Sequence, residues 1–284
     1  MKHVRKWLMY AVYFLVAVVF FLFFLFPSDA VVDYVALYAQ KADPLLDVRI
    51  ERIQPVFPPG IALKEIDVAY DRLAWVAMDG LKLTPDYGSL FSNAKAVRFN
   101  GTAYGGKVKG RAIIRSRKGG YAVGTEAALS GIRLEKIQRL SALAGRQISG
   151  ALGAVVQFDP HAQRMAQGSV TLDKVTVEMP QPFLNIRQIE VSRVEADLVV
   201  EQDRMIIKRC IFKGPQADGN LSGSLAIADP FNKSRLDIRG TVKPHHSVLA
   251  GLQKIGLFSK QLSSENGFPI RLMGTVEKPR YSFR

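Results

Sequence analysis

Gly101-Thr102-Ala103-Tyr104-Gly105-Gly106-Lys107 has the glycine and lysine spacing with which a phosphate-binding loop begins. In such a loop, backbone N–H groups cradle phosphates at a helix N-terminus and the lysine neutralises them. The next residue must be Ser or Thr to hold Mg²⁺, and here it is Val108. The flanking residues alternate with period two, so the context reads as strand, turn, strand, with no helix to receive phosphate. Hairpin glycines supplying positive φ at a turn account for the segment better, and nucleotide binding is not expected. Other chemistry-bearing residues are sparse. His245 and His246 are adjacent and point apart on most backbones, and His3 and His161 are the only other histidines. Cys210 is the single cysteine, so neither a thiolate metal cluster nor an intrachain disulfide is available. Within the run Ile206, Lys208, Cys210, Phe212 it reads as a buried structural thiol. No nucleophile elbow or zinc-protease pattern occurs. The expectation is a non-enzyme without cofactor.

The glycines gain meaning from a doubled phrase. Ala94–Ile114 and Ile207–Ile227 align without gaps, bringing Lys95 onto Lys208, Phe99 onto Phe212, Gly101 onto Gly214, Gly106 onto Gly219, Gly110 onto Gly223 and Ile114 onto Ile227. The second copy has Asn220 where the first has Lys107, which argues that the glycines serve the fold. A repeat of this kind implies stacked units. Period-two alternation covers most of the chain beyond Gly60, as in half-buried antiparallel sheets. Gln54–Gly60 reads as the breaker before the β region, and Asp79-Gly80 as a hairpin turn between Trp75–Met78 and Leu81–Thr84. Two patches have helical spacing: Leu134, Ile137, Leu140, Leu143, and Val248, Leu249, Leu252, Ile255.

Trp7–Phe26 is uncharged and rich in Phe, Leu and Val. As a helix it is about 30 Å long, and its large apolar residues favour insertion by roughly 4–8 kcal/mol. Lys2, Arg5 and Lys6 precede it, while Asp29 and Asp33 follow. The positive-inside rule puts the N-terminus in the cytoplasm and the bulk of the chain outside, in a bacterium the periplasm. Ser28-Asp29-Ala30 is an acceptable cleavage site, but the apolar run is longer than a usual signal sequence, which favours an uncleaved anchor. After Pro27, Val31, Val35 and Tyr38 are spaced as one helix face: a helix at the membrane interface or the first core helix of the domain.

The net charge is +14, and only three of the cations precede the apolar run. Such a balance suits anionic lipid, nucleic acid or an acidic protein. Export disfavours nucleic acid, and no nucleic-acid motif occurs. Arg111, Arg115, Arg117 and Lys118 form a basic run, either a solvated loop or a contact with an anionic surface.

The single pass, Phe57-Pro58-Pro59-Gly60-Ile61-Ala62-Leu63, the doubled Phe-x-Gly phrase, and the paired endings Gly240-Thr241-Val242-Lys243-Pro244 and Gly274-Thr275-Val276-Glu277-Lys278-Pro279 together carry a resemblance. In their order, the chain is similar to the bitopic type II secretion system protein N (GspN) family of Gram-negative bacteria. The same phrases resemble the repeats of AsmA-like envelope proteins. The first resemblance implies an accessory inner-membrane secretion subunit that partners other subunits through a periplasmic β domain. The second implies a lipid-accommodating sheet groove. The expected fold is mainly β: one N-terminal transmembrane helix, then a continuous curved, mostly antiparallel sheet of repeat units with two or three short helices. The expected divisions are a cytoplasmic N-terminus (1–6), the span (7–26), a juxtamembrane helix and connector (27–53) and a periplasmic β domain (54–284), with repeat units 54–165 and 166–284. Its structural glycines are Gly101, Gly106, Gly110, Gly214, Gly219 and Gly223.

Overall fold

The computed structural model describes residues 2–282 except 43, 45, 58, 71–72, 90, 93, 118–119, 139, 142–144, 160–161, 163, 184–185, 202, 246–247 and 249–266. The protein is mainly β, and every strand pairing described is antiparallel. It divides into two units, Met1–Pro85 and Asp86–Arg284.

The first unit contains α1 (Lys2–Phe24), α2 (Ser28–Ala42), β1 (Leu46–Val56), β2 (Gly60–Tyr70) and β3 (Leu73–Pro85). Pro27 separates the helices, as expected where a residue cannot continue an α-helix. Asp29 lies in the first turn of α2 and Lys41 in the last, each complementing the helix dipole. Ile50, Ile53 and Ile66 form the core of this unit, and Phe26, Val31, Val32 and Val35 pack on them. α2 is therefore a core helix on that face. Its other face presents Tyr34, Leu37 and Tyr38 to the exterior.

Two expectations need correction here. The Pro-Pro-Gly segment does not open the β region, because β1 begins at Leu46 and the segment turns β1 into β2. Pro55 is tolerated inside β1 because β1 is an edge strand, where a missing N–H breaks no ladder. Asp79-Gly80 is not a hairpin either. It lies within β3, Gly80 opposite Lys64, and the positive φ at this level belongs to Glu65 (46°) on β2. Tertiary pairing overrode the local turn signal. Among the described residues no helix is long and apolar enough to cross a membrane. The expected span falls on α1. Five side chains between Trp7 and Phe24 (at 8, 15, 16, 19 and 22) lie outside the described residues. The helix has 23 residues, about 34 Å at 1.5 Å per residue, with no charge from Trp7 onward.

The second unit is an eleven-stranded antiparallel meander: β4 (Ala94–Ala103), β5 (Gly106–Arg117), β6 (Gly120–Arg133), β7 (Ile148–Phe158), β8 (Ala166–Phe183), β9 (Ile186–Val200), β10 (Arg204–Lys213), β11 (Ala217–Ala226), β12 (Arg235–Pro244), β13 (Phe268–Thr275) and β14 (Pro279–Ser282). Its described helical residues comprise short turns between strands, including Leu134–Lys136, and the α-helical Gln138, Leu140 and Ser141 of the first helical patch. Leu143 and, apart from Val248, the second patch lie outside the described residues.

Candidate functional site

The registers of the second unit collect its apolar residues on one face. One row runs Phe99, Gly110, Ala127, Val156, Gly168, Leu198, Ile207, Gly223, Ile238, Leu272, Tyr281, each opposite the next. The row on one side reads Gly101, Val108, Leu129, Ala154, Val170, Ala196, Cys210, Leu221, Gly240, Ile270. The row on the other begins Val97, Ala112, Thr125, Phe158 and continues through Val200, Met205, Leu225 and Leu236. A fourth, beginning at β6, joins Ile132, Leu152, Leu172, Val194, Phe212, Gly219, Val242 and Phe268. None of these residues is charged. With strands about 4.8 Å apart, and same-face residues about 6.8 Å apart along a strand, the face measures roughly 50 by 20 Å. That span, on the order of 1,000 Å² of sheet, carries no charged side chain in these rows from β4 to β14. Most of these side chains are half-buried by their neighbours.

Irregularities keep the face apolar. A register shift between Ile207 and Cys210 inserts an extra residue in β10. Lys208 and Arg209, both exposed, occupy it, and Cys210 and Phe212 return to the apolar rows. The simple alternation of Ile206 with Cys210 is therefore broken: Ile206 stands opposite Ser224, between Met205 and Ile207 of the apolar rows. Burial raises the pKa of the Cys210 thiol, which favours its neutral, unreactive form.

Four of the six expected structural glycines lie directly in these rows: Gly101, Gly110, Gly219 and Gly223. Gly106 begins β5 beside the turn, and Gly214 follows β10, its N–H donating to Asp218 Oδ1 at 3.2 Å. At Gly110 a β-carbon would fall onto the Phe99 ring and the Glu126 carbonyl oxygen. At Gly219 it would come within 2.5 Å of the Phe212 ring and 2.6 Å of the Thr241 carbonyl oxygen. Each Phe ring thus lies over a cross-strand glycine, an arrangement that shields glycine backbone in a sheet.

The two copies nevertheless fold in different registers. Phe99 faces Gly110, and the phrase's own spacing would set Phe212 against Gly223; instead Phe212 faces Gly219. The doubled phrase is not a repeated hairpin. The first copy turns at Tyr104-Gly105, where both φ are positive (50° and 76°), as a tight two-residue hairpin requires. The second turns earlier, around Gly214-Pro215-Gln216, because Pro215 is preset for a turn where the first copy has Thr102. Lys107 consequently sits on a strand, opposite Thr102, with no helix N-terminus beside it. Asp218 Oδ2 meets His245 Nε2 at 3.2 Å, and His245 Nδ1 lies 3.2 Å from the Pro215 carbonyl oxygen, so this histidine staples the β10–β11 turn to the end of β12. His246 and His161 lie outside the described residues.

The opposite face carries most of the charged side chains, beside a buried Val199, and several of its arginines are partnered. Arg111 stands directly opposite Arg98, a repulsive arrangement, and Asp86 bridges both at 3.0 and 3.2 Å. Arg115 pairs with Asp159 at 3.5 Å. The expected anionic-surface cluster is therefore partly neutralised from within; the Arg117 side chain and Lys118 lie outside the described residues. Arg239 and Arg271 repeat the device, opposite one another and bridged by Asp237. Hydrogen bonds from Arg271 and then Arg239 hold the Asp237 carboxyl below its ordinary pKa.

A depression of about 560 Å³ is lined by Glu135, Gln138, Ser141, Gln147, Thr176, Glu178 and Gln188 among others. Among the described residues no three His, Cys, Asp or Glu side chains cluster to hold a metal. Sequence reading found the individual apolar strands but missed that their rows join. The signal was present in the shared parity of Val97, Phe99, Gly101 and Val108, Gly110, Ala112, but only pairing registers connect them. No family model, curated protein or solved structure matches the chain.

Proposed function

We propose that this chain is a membrane-anchored envelope protein whose second unit accommodates lipid acyl chains along the apolar face of β4–β14. The observation that carries this reading is the uncharged set of rows, continuous across eleven strands and largely half-buried. Its composition, small and aliphatic with two Phe–Gly pairs, offers a smooth apolar track and no orienting polar group, which suits chains of variable length. The anchor is α1: a 23-residue helix whose described Trp7, Tyr10, Tyr13, Phe14 and Phe24 are all outward-facing. The N-terminal cations put the bulk of the chain on the periplasmic side of a bacterial inner membrane.

A benzophenone side chain at Val97 or Leu221 in the full-length, membrane-embedded protein tests this. The expected result is lipid adducts from both positions, read by mass spectrometry, and none from Lys109 on the opposite face. Equal lipid labelling from Lys109, or none from Val97 and Leu221, overturns it.

A second reading is an accessory subunit of type II secretion, partnering other inner-membrane subunits of that machine. It is favoured by the terminal strand β14, which pairs with β13 on one side and offers an edge for strand addition. On this reading, deletion abolishes exoprotein release and leaves membrane permeability unchanged; on the lipid reading the converse holds.

A further inference from the structure

The β1–β2 turn lies at the end of the first unit where α1 emerges. α2 and β1 are joined by three residues, 43–45, and run antiparallel. The Ile53 N–H donates to Ser28 Oγ at 3.2 Å, which pins the start of α2 to β1 only two residues after α1 and Phe26 have ended. β1 then continues away from the body of α2, so Phe57 lies about 13 Å beyond that pin at 3.3 Å per residue. From Ile53 to Leu63 there is no charged residue. Phe57, at the tip, is 81% exposed, and Ile61 is exposed beside it. At the base of this uncharged hairpin end, Arg52 stands directly opposite Lys64. Both are exposed, and neither joins a carboxylate in an ion pair among the described residues. Like charges face to face destabilise a strand pair unless an anion lies between them.

We infer that the β1–β2 tip is a membrane wedge: Phe57 and Ile61 insert beside α1 into the headgroup–acyl boundary, while Arg52 and Lys64 form a collar on anionic lipid phosphates. The inference rests on the anchored reading of α1. It gives the chain a second membrane contact, which fixes the orientation of β1–β3 on the bilayer.

The test uses the full chain with Cys210→Ser, reconstituted in vesicles of phosphatidylethanolamine and phosphatidylglycerol. Nitroxide labels are placed singly at Phe14→Cys, Phe57→Cys and Asp67→Cys, the last on β2 away from the tip. Electron paramagnetic resonance then compares collisions with oxygen, which concentrates in lipid, and with a water-soluble nickel chelate. The expected oxygen-to-nickel ratio at 57 is severalfold above that at 67 and below that at 14. A ratio at 57 equal to that at 67, with 14 in lipid, overturns the wedge and leaves the anchor standing. A water-like ratio at 14 overturns the anchor, and the wedge with it.

Discussion

The strands β1–β3 and β4–β14 are built from the same alternating pattern, yet among the described residues only the first set is seen covered by a long helix. In the first unit Ile53 is 2% exposed because α2 lays Val31, Val32 and Val35 across it. In the second, Leu172, Leu198, Leu221 and Ile238 occupy equivalent inward positions and remain half-buried. A covered face is core and answers to stability. In the second unit Val108, Ile132 and Leu225 are buried in the same rows in which those leucines are half-buried, so the described face is closed in part and open in part.

The largest effect separates the two faces. Ile66→Asn should cost about 3–5 kcal/mol, because it leaves a cavity and an unpaired amide under α2. Leu221→Asn should cost only about 1 kcal/mol and mainly impair lipid crosslinking. Denaturant midpoints of the two variants decide the matter; equal losses mean the second face is also closed core. Next, Gly110→Ala should cost about 1–3 kcal/mol, because the new methyl meets the Phe99 ring and the Glu126 carbonyl. If Phe99→Ala added to that background relieves most of the loss, the ring is the obstacle; if not, the neighbouring backbone is.

Smaller effects belong to the arginine pairs of the polar face. Asp86, with its side chain 12% exposed, bridges Arg98 and Arg111. Asp86→Asn should cost about 1 kcal/mol, measured by thermal unfolding, with the loss shrinking in high salt. Asp237 should matter least, being open to water. Its folded pKa lies below its unfolded value, so its contribution is complete above about pH 4 and fades as pH falls through the folded value. Asp237→Asn should flatten the pH dependence of stability below about pH 4, because it removes at neutral pH the small contribution that acid otherwise removes, and leave stability in strong acid unchanged.

Much of the second unit was legible as alternation: β4, β5, β7, β8, β9, β11, β12 and β13 all coincide with stretches whose apolar residues recur every second position. β6 was missed because Gly124, Ala127, Ala128 and Gly131 dilute its pattern, and β1 because Arg49, Glu51 and Arg52 interrupt its isoleucines. The basic run looked free because its partners, Asp86 and Asp159, are distant in the chain. The polar–apolar division was readable strand by strand; its continuity across eleven strands was not.

By itself, the order of residues determined that this chain forms strands and that one uncharged run of membrane length precedes them. Side-chain alternation has a period of two residues, and that information is local. Only the tertiary structure decided that Phe212 meets Gly219 while Phe99 meets Gly110, although both stand in the same phrase. Register is a property of two strands and the turn between them, and a glycine-rich strand resists slippage poorly. Pro215 moved one turn and Tyr104-Gly105 set the other, so similar texts close into different hairpins.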